Sequence, residues 1–532
     1  MNVLVLQPGF PAEIPYFVRG LAQAGVRVLG VGDQPLASVP QVAREGLAAY
    51  LHVPTLWDAP ALIRALRGWD VRLGGRPVKL DRVECLWEAG VELAAQVRQA
   101  FGLPGLKPAQ VARFRDKHLM REALDRAGVR NPRHARAASA AEVRAAAEHT
   151  GFPLIVKPVA GAGSADTYRV DSAAELEALL PRLGAGAYMV EEFVRGTEYT
   201  FDTLSAGGKI LFRNVELYRP DMLTARSVES VSPQTISLRD LNAPVFARAQ
   251  AMCERVLAAL EFDTGLTHME WFHTPDDEVV FGEIACRPPG GNSGELMNRT
   301  CDFDVYRAWG EVLRHGRLSR PVQRRYNVAM VFKRAQGQGR IHAIRGLGAL
   351  ERDLGPALVR HELRPIGAPR RDWKQTLLSD GFVMLRHPDL DTTLRLADAV
   401  AEGSSSGREL SPLAPGVPRG RGFAPEVGAP VQFRSRARAR NASRNAHSPR
   451  KPAEIPPGLA AESPPTAPAP RSPGGAPDLP GGAGGSRSSV GGDDGAGVDI
   501  RRRAERHRPE GAGEEQRAGR QRVQHDGPRR EH

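Results

Sequence analysis

The chain opens with a short apolar run at residues 3–6, an amphipathic stretch at 15–24 and a second apolar run at 26–32, with Gly25 as a helix stop. That alternation predicts a βαβ unit and a small parallel sheet within residues 1–105. A helix is predicted over 116–127, N-capped by Asp116 and ended by Gly128, with Pro132 beyond it. Strands follow at 153–157, 167–170 and 188–193, with a Gly/Ala/Ser loop after the first and a helix from Ser172. Strands and helices alternate to about residue 316, and a last α/β unit runs from Tyr326 to about Val400, where the periodic pattern stops. The expected fold class is therefore α/β: a Rossmann-like N-terminal domain (1–105), a central domain (106–316), a small C-terminal α/β unit (317–402) and a tail (403–532).

Composition changes this picture in two places. The 532 residues, 41% hydrophobic and 25% charged, suffice for about three domains of ordinary size. No apolar run is long enough to span a bilayer, and the first residues lack the basic and apolar regions of a signal peptide, so a cytoplasmic protein with no membrane partner is expected. Four cysteines without a CxxC pair point to reduced thiols rather than a disulfide framework or zinc. The net charge of +12 suggests nucleic acid until it is divided: residues 403–532 carry 22 Lys and Arg against 14 Asp and Glu, two thirds of the excess. That tail holds 21 Gly and 18 Pro, with Phe423 and Phe433 as its only aromatics, and is expected to be disordered. Its Arg434, Arg436, Arg438, Arg440 and Arg501 to Arg503 have no interleaved aromatics, so a nucleic-acid arm or a flexible tether to a partner is disfavoured against a spacer or the product of a shifted reading frame.

Lysine is scarce, eight against 65 arginines, so each lysine is informative. Lys157 ends the apolar strand and precedes Gly161, Ala162, Gly163 and Ser164, a small-residue loop whose N–H groups can approach phosphate oxygens beside the ammonium. Lys117 follows the N-cap Asp116 and can offer a second ammonium at a helix start. Alone, either lysine is ordinarily a solvated surface residue. No GxGxxG follows the first strand and no GxxxxGK[ST] occurs, which excludes a dinucleotide fingerprint and a P-loop. In the stretch from Met189 to Thr200, backbone groups can read an adenine and Glu198 can accept from ribose hydroxyls, although acidic residues flanking a turn are usually solvated.

Residues 267–285 read as a β-hairpin with its turn centred on Asp276 and Asp277. A register symmetric about that centre sets Glu270 opposite Glu283 on one face. Like charges placed there repel, and a divalent cation relieves them; two carboxylates with open positions for phosphate suit Mg²⁺. The alternatives are a strand out of register, or relief by Arg287 or His268. Arg287, four residues past Glu283, can neutralise a transferring phosphoryl group or simply pair with one of the two glutamates. Beyond it, Gly290-Gly291 leads into a helix whose first N–H groups can hold an anion.

In this order the elements resemble the ATP-grasp superfamily of carboxylate-amine and carboxylate-thiol ligases, over roughly residues 1–400. The resemblance rests on Asp116-Lys117, Val156-Lys157-Pro158 with its loop, Val190-Glu191-Glu192-Phe193-Val194-x-Gly196-x-Glu198, and His268-x-Glu270 followed by Gly282-Glu283-Ile284-x-x-Arg287-Pro288. It implies a pre-ATP-grasp domain followed by a two-lobed ATP-grasp domain. It further implies that Lys117 and Lys157 meet ATP phosphates, with Gly161, Gly163 and Ser164 as the phosphate loop. Glu191, and Glu192 and Val194 through their backbone, would meet adenine, and Glu198 ribose. Glu270 and Glu283 would bind one or two Mg²⁺ ions, with Mn²⁺ as a substitute, and Arg287 would stabilise an acyl phosphate. Many members have Asn where this chain has Ala285, and a longer glycine run in the loop.

The resulting expectation is an ADP-forming ligase that activates a small-molecule carboxylate with Mg-ATP and joins it to an amine or other nucleophile. A bicarbonate-activating carboxylase of the same fold and a non-catalytic ATP- or nucleic-acid-binding protein are the alternatives. The oligomeric state stays open, with a homodimer as one option.

Overall fold

The computed structural model describes residues 1–159, 166–184, 186–374, 376, 378–403 and the backbone of 433–436. The loop residues Gly161, Gly163 and Ser164 lie outside the described residues. So does the tail beyond Gly403, apart from the strand Phe433–Arg436, which pairs with Arg340–Ile344.

Strands β1 (Asn2–Leu6), β2 (Arg27–Gly32), β3 (Leu47–His52) and β4 (Arg82–Glu84) form a parallel sheet of order β3-β2-β1-β4, with helix α1 (Ile14–Gln23) crossing from β1 to β2 and α2 (Val91–Ala100) following β4. Val3, Leu4, Val5, Val28 and Val31 are fully buried, as expected where helices cover both faces. Two helices follow, α3 (Pro108–Arg115) and α4 (Lys117–Arg126). Asp116 starts α4 by accepting from His118 and Leu119 N–H groups, the cap expected from its sequence.

A second, antiparallel sheet contains β5 (His134–Ala137), β6 (Leu154–Pro158), β7 (Tyr168–Val170) and β8 (Tyr188–Glu192) in the order β5-β8-β6-β7. Helices α5 (Ala140–Thr150) and α6 (Ala173–Leu179) supply its core, in which Val143, Ala147 and Leu176 meet Leu154, Val156 and Val190.

The third sheet has nine strands: β9 (Thr197–Ala206), β10 (Lys209–Asn214), β11 (Glu216–Arg219), β12 (Gln234–Ser237), β13 (Gly265–His273), β14 (Val279–Ala285), β15 (Asn327–Phe332), β16 (Leu358–Leu363) and β17 (Gly381–His387). Its order is β14-β13-β9-β11-β12-β15-β17-β16, with β10 beside β9. Helix α7 (Met222–Ser227) leaves β11, and α8 (Pro244–Ala259) packs on the sheet through Ala249, Met252, Cys253, Val256 and Leu257, an i, i+3, i+4 stripe facing Trp271 and Phe281. Each such fully buried large side chain contributes about 1.5–3 kcal/mol relative to exposure. Helices α9 (Ser293–Cys301) and α10 (Val305–His315) follow β14, and α11 (Leu390–Glu402) closes the described chain. Residues 317–402 thus add three strands to the sheet that carries the hairpin, and α10 packs on α1 in one core.

Candidate functional site

A cavity of about 320 Å³ lies among these sheets, lined by Lys117, Lys157, Glu191, Glu198, Glu270, Glu283 and Arg287, with Glu192 and Val194 on the same wall. Strand β6 delivers Lys157, α4 delivers Lys117, β8 delivers Glu191, and the β13–β14 hairpin delivers the two glutamates. Residues distant in sequence therefore converge as their types suggested.

The hairpin reaches this arrangement in an unforeseen way. Glu270 does pair with Glu283, so both side chains occupy one face. Nearer the tip, however, Trp271 pairs with Phe281 and His273 with Val279, one residue away from the symmetric register. The expectation of a symmetric hairpin is corrected here: Asp276 alone sits at the centre of the tip. A bulge between Glu270 and Trp271 absorbs the difference and leaves Gly282 as the extra residue. A Cβ at Gly282 would come within 2.8 Å of the Glu270 carbonyl oxygen, so the bulge closes only around glycine.

Charge is compensated pairwise. Lys117 Nζ lies 2.9 Å from Glu283 Oε1, and His268 Nε2 lies 3.7 Å from Glu270 Oε1. Both glutamate side chains remain about a third exposed. Burial alone would raise the Glu283 carboxyl, but Lys117, Lys157 and Arg121 hold it below the usual range. Lys157 Nζ is 2.8 Å from Glu191 Oε2, and Arg121 Nε and Nη2 take Glu191 Oε1 at 3.1 and 3.0 Å. Burial opposes ionisation of Glu191, yet these two cations bring it down to about 2. Glu192 faces Arg130 and Arg133, and its N–H donates to Arg133 O, so that N–H is already engaged.

Glu198 accepts the Met222 N–H at 2.7 Å at the start of α7. Burial, then the neighbouring Glu270 carboxylate, push it up to about 8. Arg287 pairs with neither hairpin glutamate: its Nε donates to Glu88 Oε2 at 2.6 Å, and Glu88 Oε1 accepts from Arg115 at 2.6 Å. The N–H groups at the start of α9 already have an acceptor of the chain's own. Glu13 accepts from Asn292 and Gly294 N–H at 3.1 and 3.2 Å and from the Tyr306 hydroxyl.

Several partners of His268, itself named above as one relief for Glu270, went unnoticed in the sequence. His268 Nδ1 lies 2.7 Å from Asp202 Oδ1, and Asp202 also accepts from Thr200 and Asn214. Asn214 in turn donates to Glu216, which accepts from Ser293. Burial lowers the His268 imidazole, but hydrogen bonds to Asp202 and Glu270 outweigh it and carry the group up to about 9. Arg121, four residues after Lys117 and so on the same helix face, had a periodic signal. Glu88, Asp202 and Glu216 had none, since only the fold brings them here.

Among the described residues no group of three or more His, Cys, Asp or Glu side chains forms a metal cluster. The Glu270/Glu283 pair nonetheless fits a hard divalent cation such as Mg²⁺, which takes one or two carboxylates and fills its remaining positions with water and phosphate oxygens. Two ammonium groups within the same cavity suit a polyphosphate. No helix among the described residues is long and apolar enough to cross a membrane.

Residues 122–304 match the family model of the ATP-grasp domain. An L-arginine-specific L-amino acid ligase of Bacillus subtilis is 24% identical over 234 residues, covering 42% of this chain and 56% of that protein. A formate-dependent phosphoribosylglycinamide formyltransferase of Rhodococcus jostii is 29% identical over 282 residues, covering 51% of this chain and 65% of that protein. The chain therefore spans rather more than half the length of these curated relatives. In fold it is similar to the crystal structure of an L-amino acid ligase from Bacillus licheniformis, with a TM-score of 0.60 at 19% identity over 75% of this chain and 97% of that one. With the domain match falling on the two-sheet cavity and its carboxylate hairpin, the chain contains an ATP-grasp domain over residues 122–304.

Proposed function

We propose that this protein is an ADP-forming ligase that activates a small-molecule carboxylate as an acyl phosphate and joins it to an amine or another nucleophile. The observation that carries this reading is the Glu270/Glu283 pair facing Lys117 and Lys157 within one cavity. Two carboxylates and two ammonium groups form a clamp for a metal-bound triphosphate.

In the proposed reaction a carboxylate oxygen of the substrate attacks the γ-phosphorus, the bond to the β,γ-bridging oxygen breaks, and ADP leaves. The nucleophile's nitrogen then attacks the acyl carbon, inorganic phosphate departs with the C–O bond, and the nitrogen loses a proton. Lys117 and Lys157 bind phosphate oxygens in place of their present carboxylates. Glu270 and Glu283 hold Mg²⁺, or Mn²⁺ in its place, which when bound neutralises phosphate charge. Glu191, Glu192 and Val194 line the adenine end, Glu198 accepts from ribose, and Arg287 offsets charge on the acyl phosphate. Gly161, Gly163 and Ser164 complete the phosphate contacts in this reading, and the division at residues 105, 316 and 402 belongs to the same proposal. By their names the curated relatives include an L-amino acid ligase and a formate-dependent formyltransferase, and amino acids and formate are small carboxylic acids, which supports such an acid as the activated partner.

The test is to incubate the protein with Mg-ATP and pools of carboxylic acids and amines. ADP and phosphate should appear only with a matching acid, and added hydroxylamine should trap a hydroxamate. AMP and pyrophosphate in their place would overturn the acyl-phosphate route. Turnover driven by bicarbonate would move the protein to the carboxylase reading.

A further inference from the structure

The register of the carboxylate hairpin has two solutions, and only one makes a cation site. Counted from the tip, the pairing of His273 with Val279 and of Trp271 with Phe281 continues, without a bulge, to Glu270 opposite Gly282 and Met269 opposite Glu283. Met269 is fully buried in the core, so that register turns the Glu283 carboxylate away from Glu270 and into an apolar layer. The bulge at Gly282 is what returns Glu283 to the cavity face.

A bulge residue loses its place in the ladder, and its backbone groups need other partners. The Gly282 carbonyl finds one in Arg121, whose Nη2 donates to it at 2.7 Å. The same guanidinium donates through Nε and Nη2 to Glu191 Oε1 and lies over the Phe281 ring, 5.3 Å from its centroid. Arg121 is 1% exposed, and its Nη1 has no hydrogen-bond partner among the described residues. A buried cation with one unsatisfied nitrogen is expensive to maintain, and its anchors are the Glu191 carboxylate on β8 and the bulge carbonyl on β14.

The geometry points to Arg121 as a positioning residue that fixes the hairpin register and thereby builds the divalent-cation site. It touches neither nucleotide nor metal in this role. It acts through the Gly282 carbonyl, which precedes Glu283 in the chain, and through Glu191, which steers Lys157. This inference rests on the proposed Mg-ATP reading of the cavity.

The test is calorimetric titration of ATP into the full chain with and without Mg²⁺, which needs no knowledge of the other substrates. Wild-type protein should bind ATP more tightly with Mg²⁺; failure there would remove the functional reading itself. Arg121→Met removes both anchors, and Arg121→Lys keeps a buried charge for Glu191 but loses the longer planar fork whose Nε holds Glu191 while Nη2 reaches the Gly282 carbonyl. Both variants should lose about tenfold or more of the magnesium-dependent gain in affinity, as expected for a residue supporting metal ligands. If Arg121→Met does not fold, Arg121→Lys decides alone. A folded Arg121→Lys protein with the full wild-type magnesium gain would overturn the assignment, whatever its melting temperature.

Discussion

Arg287 and Glu88, 199 residues apart, are joined at 2.6 Å between Nε and Oε2, so the guanidinium next to the carboxylate hairpin is aimed by a residue from the segment after the N-terminal sheet. Glu88 is also held by Arg115, which makes it a fixed anchor rather than a mobile counter-ion. Arg287→Ala should lower the rate of ADP release by about a hundredfold, the range seen when one donor to a developing charge is removed. Arg287→Lys should restore little, because a lysine lacks the planar fork that engages two partners at once. Glu88→Gln should lower kcat less, by about tenfold, and the double variant should show strong non-additivity, as expected for contacting residues. Steady-state kinetics of the four proteins checks this.

Removal of either hairpin carboxylate should have a different signature. Glu270→Gln and Glu283→Gln should each reduce Mg-dependent turnover by about a hundredfold or more, and excess Mg²⁺ should recover part of the loss. Chelation of divalent cations should abolish ATP turnover by the wild type. Product formation measured across a Mg²⁺ titration distinguishes these outcomes from simple unfolding.

How much of this site could be read in the chain itself depends on distance along it. The lysines and the Glu270/Glu283 facing are local: a strand end, a helix start and a hairpin period of two carry them, whereas Glu191 entered only through the family resemblance. The facing of the two glutamates was correct although the symmetric hairpin behind it was not, because the bulge corrects a register that the tip had shifted. Period-two counting cannot see a bulge whose only trace is one glycine. Glu88 and Asp202 were invisible because their partners, Arg287 and His268, are 199 and 66 residues away. The anion seat at the start of α9 was legible as a helix N-terminus, but nothing local to Gly290 or Gly291 reveals that Glu13 fills it.

Stability should decline toward alkaline pH. Burial raises Glu13 from 4.5 to about 7, and raises Glu198 and Glu216 to about 8. The native protein therefore holds protons that the unfolded chain releases above its ordinary carboxyl range, and stability falls as pH rises from about 4.5 toward about 8. His268, raised from 6.5 to about 9, adds a loss of the same sign at the upper end. Glu191 and Glu283, held low, act oppositely and weaken the fold only as pH drops below their unfolded range. Melting temperatures recorded from mildly acidic to mildly alkaline buffer should be highest on the acidic side. A flat or rising profile would contradict the assignment of these protons.

Glu13 offers a separate check on the join between α1 and α9. Glu13→Ala leaves the Asn292 and Gly294 N–H groups and the Tyr306 hydroxyl without their acceptor, and should lower stability by about 1–3 kcal/mol. Glu13→Gln retains an acceptor oxygen and the shape of the side chain. It should cost less and should flatten the pH profile near 7, since it carries no titrating proton there. Chemical denaturation of both variants at two pH values tests the pair.

The contact between α1 and α10 bears on how the protein can be dissected. A Cβ at Gly20 would sit 2.2 Å from the Tyr306 carbonyl carbon, and one at Gly310 would sit 3.0 Å from the Leu21 Cα, so the two helices meet backbone to backbone. Phe17, Tyr306 and Trp309 stack edge to face across that seam. A recombinant fragment trimmed to residues 122–304 would discard both helices, and three of the large sheet's strands with them. Such a piece would keep Lys157 and the carboxylate hairpin on a bare sheet edge without Lys117, and should precipitate on expression, so trials that seek a minimal soluble protein should begin at Met1 and retain α11.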